Sequence, residues 1–198
     1  GCVDKGLKEE WAEKMWAKFE YFSGYGFNKS HAVSYSIISF QCAWLFNYYP
    51  DCWMAAFLDK EPESRKEKAI NIAKKFGFKL EPVIINRSSS VWDIGEDQRT
   101  LIQPLTSIKG LGDKAIEQII EHRPFNSVEE LLFSKEIVYS KLNKKALDVL
   151  IKAEAVDELI DDRFRNQKHF WLSVADSRPK TKKKLSENIE EFKGTEDF

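Results

Sequence analysis

The stretch from about residue 30 to residue 49 constrains the fold most, because it is apolar on almost every side of a predicted helix and stops at Pro50. A helix of this kind is normally buried on most of its faces. We therefore expect large side chains to fix it in a core, and the candidates are Val33, Ile37, Phe40 and Trp44. Polar residues interrupt the stretch before it reaches the roughly 18 apolar residues of a membrane span, which favours a soluble protein without a membrane partner.

The rest of the chain is also predicted to be mainly α-helical, with a short β-containing connector at 81–104. Glycines at 24 and 26 predict a turn before the long apolar helix, and Gly77 is a predicted helix C-cap. Runs at 83–85 and 101–102 predict a hairpin or a pair of strands. Further helices are predicted over 7–24, 50–58, 65–76, 113–122, 127–133, 144–153 and 158–176. The charged residues 179–198 are expected to form a weakly ordered tail.

The sequence Ile-Lys-Gly-Leu-Gly at 108–112 directly precedes a predicted helix and is a helix-hairpin-helix signature. Its two glycines permit unusual backbone conformations and leave N–H groups bare where a phosphate oxygen can approach. The leucine would anchor the hairpin in the core, and the flanking lysines would supply positive charge. The alternative is that Gly-Leu-Gly only turns the chain between two helices. The residues predicted to bind DNA are Lys109, Gly110, Leu111, Gly112 and Lys114.

A second unit of similar length and apolar spacing covers residues 141–152, but Asn143 and Lys144 stand where glycines would be. We interpret it as a degenerate copy that folds with the first and holds it in place. Lys141, Lys144 and Lys145 could still attract phosphates without sequence preference.

The segment Asn28-Lys29-Ser30-His31 lies at the start of the long apolar helix, and two interpretations apply to it. The first is structural: Asn28 and Ser30 cap the helix, while Lys29 and His31 face solvent. The second is functional: an amide, a cation, a hydroxyl and an imidazole at the positive end of a helix would suit a triphosphate.

Several classes of site are disfavoured by composition. The net charge is −1, so any electrostatic signature for nucleic acid must be local. The three cysteines lack metal-ligand spacing, which disfavours structural zinc and indicates a reducing, intracellular compartment. No serine or cysteine has a recognisable base beside it in the sequence. We therefore predict neither catalytic residues nor a metal site in this chain.

Taken together and in this order, several segments resemble the alpha subunits of bacterial DNA polymerase III, which are family C replicative DNA polymerases. The matching segments are Gly-Tyr-Gly-Phe-Asn-Lys-Ser-His from Gly24, then Gln41, Tyr49-Pro50, Met54-Ala-Ala and Ile-Lys-Gly-Leu-Gly from Ile108. The resemblance covers about residues 1–160.

This resemblance implies a domain order: the end of a fingers domain at 1–80, the connector at 81–104, a tandem helix-hairpin-helix domain at 105–160, and a terminal helix and tail at 161–198. Fingers close over an incoming deoxynucleoside triphosphate, so Asn28, Lys29, Ser30 and His31 are assigned to the nucleotide. The hairpins of this family grip duplex primer-template DNA. Other polymerase domains are implied partners, a sliding clamp is a further candidate, and the implied location is the cytoplasm at the replisome.

The resemblance also implies what the chain lacks. Family C polymerases hold Mg²⁺ on aspartates of a palm domain that precedes the fingers, and no such domain is evident here. We therefore expect the parent enzyme to be a DNA-directed polymerase and this chain, without a cofactor of its own, to be inactive alone. Since it begins Gly-Cys-Val, we expect an excised fragment. The alternative is a separately encoded, non-catalytic DNA-binding accessory subunit of a split or viral polymerase.

Overall fold

The computed structural model describes residues 1–24 and 28–198, which form two compact units, Gly1–Tyr48 and Tyr49–Phe198. The mainly α-helical class is confirmed. Tyr25, Gly26 and Phe27, which belong to the predicted turn, lie outside the described residues. In the part of the chain that is described, no helix combines the length and apolar character required to cross a membrane.

The first unit contains a 3-10 turn at Val3–Lys5 and two long helices, α1 at Glu9–Gly24 and α2 at Lys29–Tyr48. The prediction that α2 is fixed in a core by its large side chains is wrong for this structure. Val33, Ile37 and Trp44 are all exposed, and Phe40 is 70% exposed. A helix that is apolar all round can be buried only if other elements surround it, and a unit with two long helices does not supply them.

The second unit begins with α3 at Pro50–Lys60, a 3-10 turn at Glu63–Arg65 and α4 at Lys66–Lys75. Pro50 occupies the first turn of α3, where its missing N–H costs no hydrogen bond. Gly77 follows α4 with φ +83°, and the N–H groups of Gly77 and Phe78 donate to the carbonyls of Lys74 and Ala73. This is a Schellman ending, so the predicted C-cap is confirmed.

A small sheet follows, formed by β1 at Lys79–Glu81, β2 at Asp93–Ile94 and β3 at Thr100–Ile102. The central strand β3 pairs parallel with β1 and antiparallel with β2. The predicted strand at 101–102 is confirmed, but the one at 83–85 is wrong. Pro82 cannot donate to the ladder, so β1 ends at Glu81. Ile85 instead joins the helical core, and its N–H donates to the carbonyl of Ala155 at 2.8 Å.

The hairpin region consists of a 3-10 turn at Leu105–Ser107 followed by α5 at Asp113–His122, α6 at Val128–Phe133 and α7 at Lys144–Lys152. These helices match the predicted ranges. The side chains of Ser127 and Asn143 cap α6 and α7, as their types predict. Apolar residues of all three helices share one core, which explains how short helices remain stable.

The C-terminal residues differ most from the sequence prediction. A 3-10 turn at Asp157–Leu159 is followed by α8 at Gln167–Trp171, a π-helix at Leu172–Asp176 and α9 at Lys182–Glu191. The predicted helix over 158–176 is therefore wrong in its first half. It begins only at Gln167, where the side chain of Asn166 accepts the N–H of His169 at 2.7 Å.

The prediction of a weakly ordered tail is also wrong. Leu185 in α9 is 1% exposed, and Ile189 is buried beside it in the main core. His169 accepts the N–H of Arg165 through Nδ1, so Nε2 carries the proton and donates to the carbonyl of Ile189 at 2.7 Å. Leu185 and Ile189, together with the buried Asn188, dock α9, although its composition is dominated by charge.

Candidate nucleic-acid interface

The turn at 108–112 is closed from within. The N–H of Leu111 donates to the carbonyl of Ile108 at 3.1 Å, and both side chains are buried. Leu111 is thus an anchor in the core, as predicted, and its N–H is already used in the turn. The parts of this turn that remain for a ligand are its two glycines and Lys109.

The backbone conformation requires glycine at only one of the two positions. Gly110 has φ +93°, a conformation that other residues rarely adopt, and a Cβ there would lie 3.6 Å from Cγ1 of Val149 and 3.7 Å from Cε of Lys145. Gly112 has φ −83°, which any residue can adopt, and a Cβ there would meet no atom within 4 Å. The turn needs glycine at 110, whereas the side of the chain at 112 faces open space.

Gly112 is also the N-cap of α5, and it has no side chain with which to satisfy the first amides of the helix. Its carbonyl accepts the N–H groups of Ala115 and Ile116 at 2.9 and 3.2 Å. The preceding N–H groups mark the positive end of the helix, equivalent to about half an elementary charge. An anion that approaches through the open space at Gly112 would meet this end directly.

The second unit forms a similar turn without glycines. The N–H groups of Lys141 and Leu142 donate to the carbonyl of Val138 at 3.0 and 3.2 Å, and Leu142 is fully buried in the position that Leu111 has in the first turn. Lys141 and Asn143 thus take the places of the two glycines, and the prediction was wrong for Lys144, which is the first residue of α7. Its helix is capped from within the chain, because Oδ1 of Asn143 accepts the N–H of Ala146 at 3.0 Å. The second turn therefore repeats the shape of the first but closes its own helix end.

A cavity of about 630 Å³ lies between the two turns. Its lining combines backbone of both turns with three lysines, and it includes Gly110, Gly112, Lys114, Ser140, Lys141, Asn143 and Lys145. Within the described ranges none of these lysines pairs with a carboxylate. Asp113 is the acidic residue of the lining, so the cavity carries a net positive charge. The tertiary structure thus brings positive charges together in one place, although the net charge of the whole chain is close to zero.

Lys109 does not line this cavity. It faces a separate hollow of about 420 Å³ together with Gln103 and Lys152. The structure therefore brings Gly110, Gly112 and Lys114 together with residues of the second turn and leaves Lys109 on another side of the hairpin. Lys144 is engaged elsewhere, because its Nζ lies 2.7 Å from Oδ1 of Asp176.

Sequence reasoning missed several lining residues as candidates for the interface, among them Ser140 and Asn143. Ser140 carries no motif signal, and Asn143 was read only as a helix cap that replaces a glycine. The repeated spacing of the two units is the signal that could have placed both residues opposite Gly112. The assignment of individual residues to DNA contact stays a prediction.

The four residues assigned to a nucleotide lie in the first unit, at the start of α2, and all are exposed. Oδ1 of Asn28 accepts the N–H of Ser30 at 3.1 Å and its hydroxyl at 2.6 Å. The capping interpretation is therefore realised for Asn28, whereas Ser30 lies inside α2 and does not cap it. The ring of His31 lies 4.3 Å from that of Tyr35. Whether these groups also bind a nucleotide stays a prediction.

The six-residue segment from Gln167 to Leu172 has a glutamine followed by bulky apolar residues. This pattern is distantly similar to that of peptides that bind a sliding clamp, but the helical spacing of the apolar residues predicted that they pack in the core. His169 and Phe170 are fully buried, as core residues would be.

An ion-pair network supports the hairpin core from outside. Arg163 donates to Glu129 of α6 and to Asp161, with the shortest contact to each at 2.6 Å. The guanidinium lowers the pKa of both carboxyl groups, and they raise the pKa of Arg163 in return. The network ties α6 to the loop that precedes α8.

Comparison with known proteins agrees with this geometry. Residues 77–167 match the helix-hairpin-helix motif family. The DNA polymerase III subunit alpha of Campylobacter jejuni is 37% identical over 165 residues, which are 80% of this chain and 14% of that protein. The corresponding subunit of Thermus aquaticus is 35% identical over 168 residues, or 81% of this chain and 13% of the relative.

The subunit of Deinococcus radiodurans is 36% identical over 163 residues, which are 79% of this chain. The matches span only 12 to 14% of the length of these curated relatives. The residues that match the motif family include both hairpin turns. The chain is homologous to one segment of the DNA polymerase III alpha subunits.

Proposed function

We propose that this chain contributes a sequence-independent contact with duplex DNA to a replicative DNA polymerase. The observation that carries the proposal is the positively charged cavity between the two turns, within the residues that match the helix-hairpin-helix family. The relatives are DNA polymerase III alpha subunits, which supports the polymerase context.

The proposed contact is with the phosphate backbone. A phosphate oxygen at the open side of Gly112 would accept hydrogen bonds from the first amides of α5, while Lys114, Lys141 and Lys145 supply charge around it. Backbone amides and lysines at phosphates carry no information about base sequence. Binding should therefore tolerate any duplex sequence.

The magnitude of the salt effect follows from the number of lysines. If each of the three lysines neutralises one phosphate, the slope of log K against log salt concentration is about −2.7, at about −0.9 for each phosphate. A weak but steeply salt-dependent interaction is the expected signature of the isolated chain.

The test is a fluorescence anisotropy titration of the chain with labelled duplex DNA at several salt concentrations. The variant Lys114→Gln, Lys141→Gln, Lys145→Gln should lose most of the affinity and flatten the salt dependence. A matched control removes three exposed lysines from α4, Lys68, Lys74 and Lys75, in the same way. Equal losses in both variants, or a salt-independent interaction, would refute the proposed site.

The proposal also includes the incoming nucleotide. Asn28, Lys29, Ser30 and His31 would contact the triphosphate when other polymerase domains complete the site. Support comes from the family relationship and from their shared position at the start of a 20-residue helix. In the larger polymerase, Asn28→Ala should raise KM for the nucleotide, and an unchanged KM would remove this part of the proposal.

We further propose that the chain does not synthesise DNA alone. Two-metal phosphoryl transfer requires carboxylates that hold Mg²⁺, and we expect these in another part of the enzyme. Among residues 1–24 and 28–198, no group of three or more His, Cys, Asp or Glu side chains is arranged to hold a metal ion. Metal-dependent primer extension by the purified chain would overturn this expectation. In cells, we expect the chain to act in the cytoplasm as part of the replisome.

A further inference from the structure

Arg178 is a cation buried in the second unit, at the point where the π-helix ends and the chain turns toward α9. Its side chain is 5% exposed, and its backbone has φ +41°, which is unusual for a residue with a side chain. Nη2 donates to the carbonyl of Leu142 at 3.0 Å, while Nε and Nη1 are buried without a hydrogen-bond partner among the described residues.

A buried guanidinium without a carboxylate beside it is costly to maintain, and burial lowers the pKa of Arg178. The strained backbone at the same residue adds to this cost. Because both its burial and its backbone conformation cost free energy, Arg178 requires favourable contacts in compensation. The contacts that its guanidinium makes are with residues of the second hairpin turn.

The guanidinium holds that turn at both ends. Its central carbon lies 4.4 Å from the centroid of the Tyr139 ring, in a cation–π contact, and its hydrogen bond reaches the carbonyl of Leu142. Between these two residues lie Ser140 and Lys141, which line the cavity between the turns. Arg178 therefore fixes the segment that carries one of the three cavity lysines.

The segment around Arg178 is itself tied to the bundle. The hydroxyl of Ser177 donates to the carbonyl of Ser173 at 2.8 Å and accepts from Nδ2 of Asn188 in α9, also at 2.8 Å. On the other side, Asp176 pairs with Lys144 in the first turn of α7 at 2.7 Å. These contacts give Arg178 a fixed support from which to hold the hairpin.

We propose that Arg178, which lies beyond the matched helix-hairpin-helix region, is a positioning residue for DNA binding that presets the turn Tyr139–Leu142 so that Lys141 meets a phosphate. The inference rests on the proposed function, because it assigns a role at the same cavity. It also makes α9 and the preceding π-helix part of the DNA-binding unit.

The test compares Arg178→Met with Arg178→Lys in duplex DNA titrations of the whole chain, at a temperature where circular dichroism shows both variants folded. Arg178→Met should weaken binding about fivefold and reduce the magnitude of the salt slope by about 0.9, the value of one phosphate contact. Arg178→Lys keeps a donor for the carbonyl and a cation for the ring, so it should recover most of both values. Unchanged binding by folded Arg178→Met, or no recovery with lysine, would overturn the assignment.

Two further variants keep the test decisive. Tyr139→Leu removes the ring from a half-exposed position and should weaken binding even if Arg178→Met does not fold. Wild-type binding by Tyr139→Leu would overturn the positioning role of Arg178. Lys184→Gln removes a cation of α9 that pairs with Glu187, and it should bind like the wild type. A loss in Lys184→Gln equal to that in Arg178→Met would assign the effect to net charge and overturn positioning.

Failure of the proposed function and failure of the role of Arg178 give different results. If the unmodified chain shows no salt-dependent binding to duplex DNA, the proposed function fails. If the unmodified chain binds and the triple cavity-lysine variant is weakened while Arg178→Met is not, only the role of Arg178 is refuted.

Discussion

Replacing the two hairpin glycines one at a time should separate backbone strain from phosphate access. In Gly110→Ala, the new Cβ would make ordinary van der Waals contacts, at 3.6 Å from Val149 and 3.7 Å from Lys145. The cost therefore comes from φ +93°, which an L-residue adopts with a penalty of about 1 to 3 kcal/mol. The reduced entropy of the unfolded chain returns only about 0.4 to 1 kcal/mol. We expect a net loss of stability of about 1 to 2 kcal/mol.

Gly112→Ala should behave in the opposite way. Its φ of −83° suits alanine, and the added methyl group would meet no neighbour within 4 Å. Alanine is a poorer N-cap than glycine, by a few tenths of a kcal/mol or more. The smaller entropy of the unfolded chain offsets this, at about 0.4 to 1 kcal/mol. The free energy of unfolding should change by less than about 0.5 kcal/mol, while the methyl group occupies the space where a phosphate would approach α5.

The assay is urea unfolding followed by tryptophan fluorescence, paired with duplex DNA titration of the same samples. Gly110→Ala should unfold at lower urea concentration. Gly112→Ala should unfold like the wild type and yet bind DNA about tenfold more weakly, the effect of losing about 1.4 kcal/mol of contact with one phosphate. Wild-type DNA affinity in Gly112→Ala would refute the idea that phosphate enters at the N-terminus of α5.

Three other predictions concern stability. Glu129→Gln should destabilise the protein by at most about 1 kcal/mol at pH 7, since its partner Arg163 is 43% exposed and screened by water. The pKa of Glu129 is lower in the folded than in the unfolded protein, so its contribution to the free energy of unfolding is present above the unfolded pKa and is lost as pH falls through the folded pKa. If the variant and the wild type still differed in free energy of unfolding at about pH 2, measured by urea unfolding, this would be contradicted. Leu185→Ala should cost about 2 to 5 kcal/mol, and a loss below about 0.5 kcal/mol in the same assay would mean that α9 is not docked. Asn28→Ala removes the acceptor of the Ser30 N–H, so amide hydrogen exchange at Ser30 should become faster, and unchanged exchange would argue against the cap.

Sequence patterns predicted the elements whose signals are local. The hairpin helices, the caps at Ser127 and Asn143, and the helix ending at Gly77 all depend on residues within one or two turns of each other. The same reasoning failed at Val83–Ile85, where an apolar run served the helical core and not a strand. It failed again at α9, whose charged composition concealed two docking residues. In both places the outcome depended on a partner distant in sequence.

The sequence by itself determined the helical class and the glycine turn, because turn chemistry and helix periodicity depend on neighbouring residues, and its motifs indicated the resemblance to the DNA polymerase III alpha subunits. Only the tertiary structure decided which lysines act together. Lys109 and Lys114 are close in sequence but line different hollows, whereas Lys114, Lys141 and Lys145 meet at one cavity. Only the fold, likewise, placed Arg178 under the second turn. The physical reason is that electrostatic sites depend on distance in space, and the bundle brings together two turns that the chain keeps about thirty residues apart.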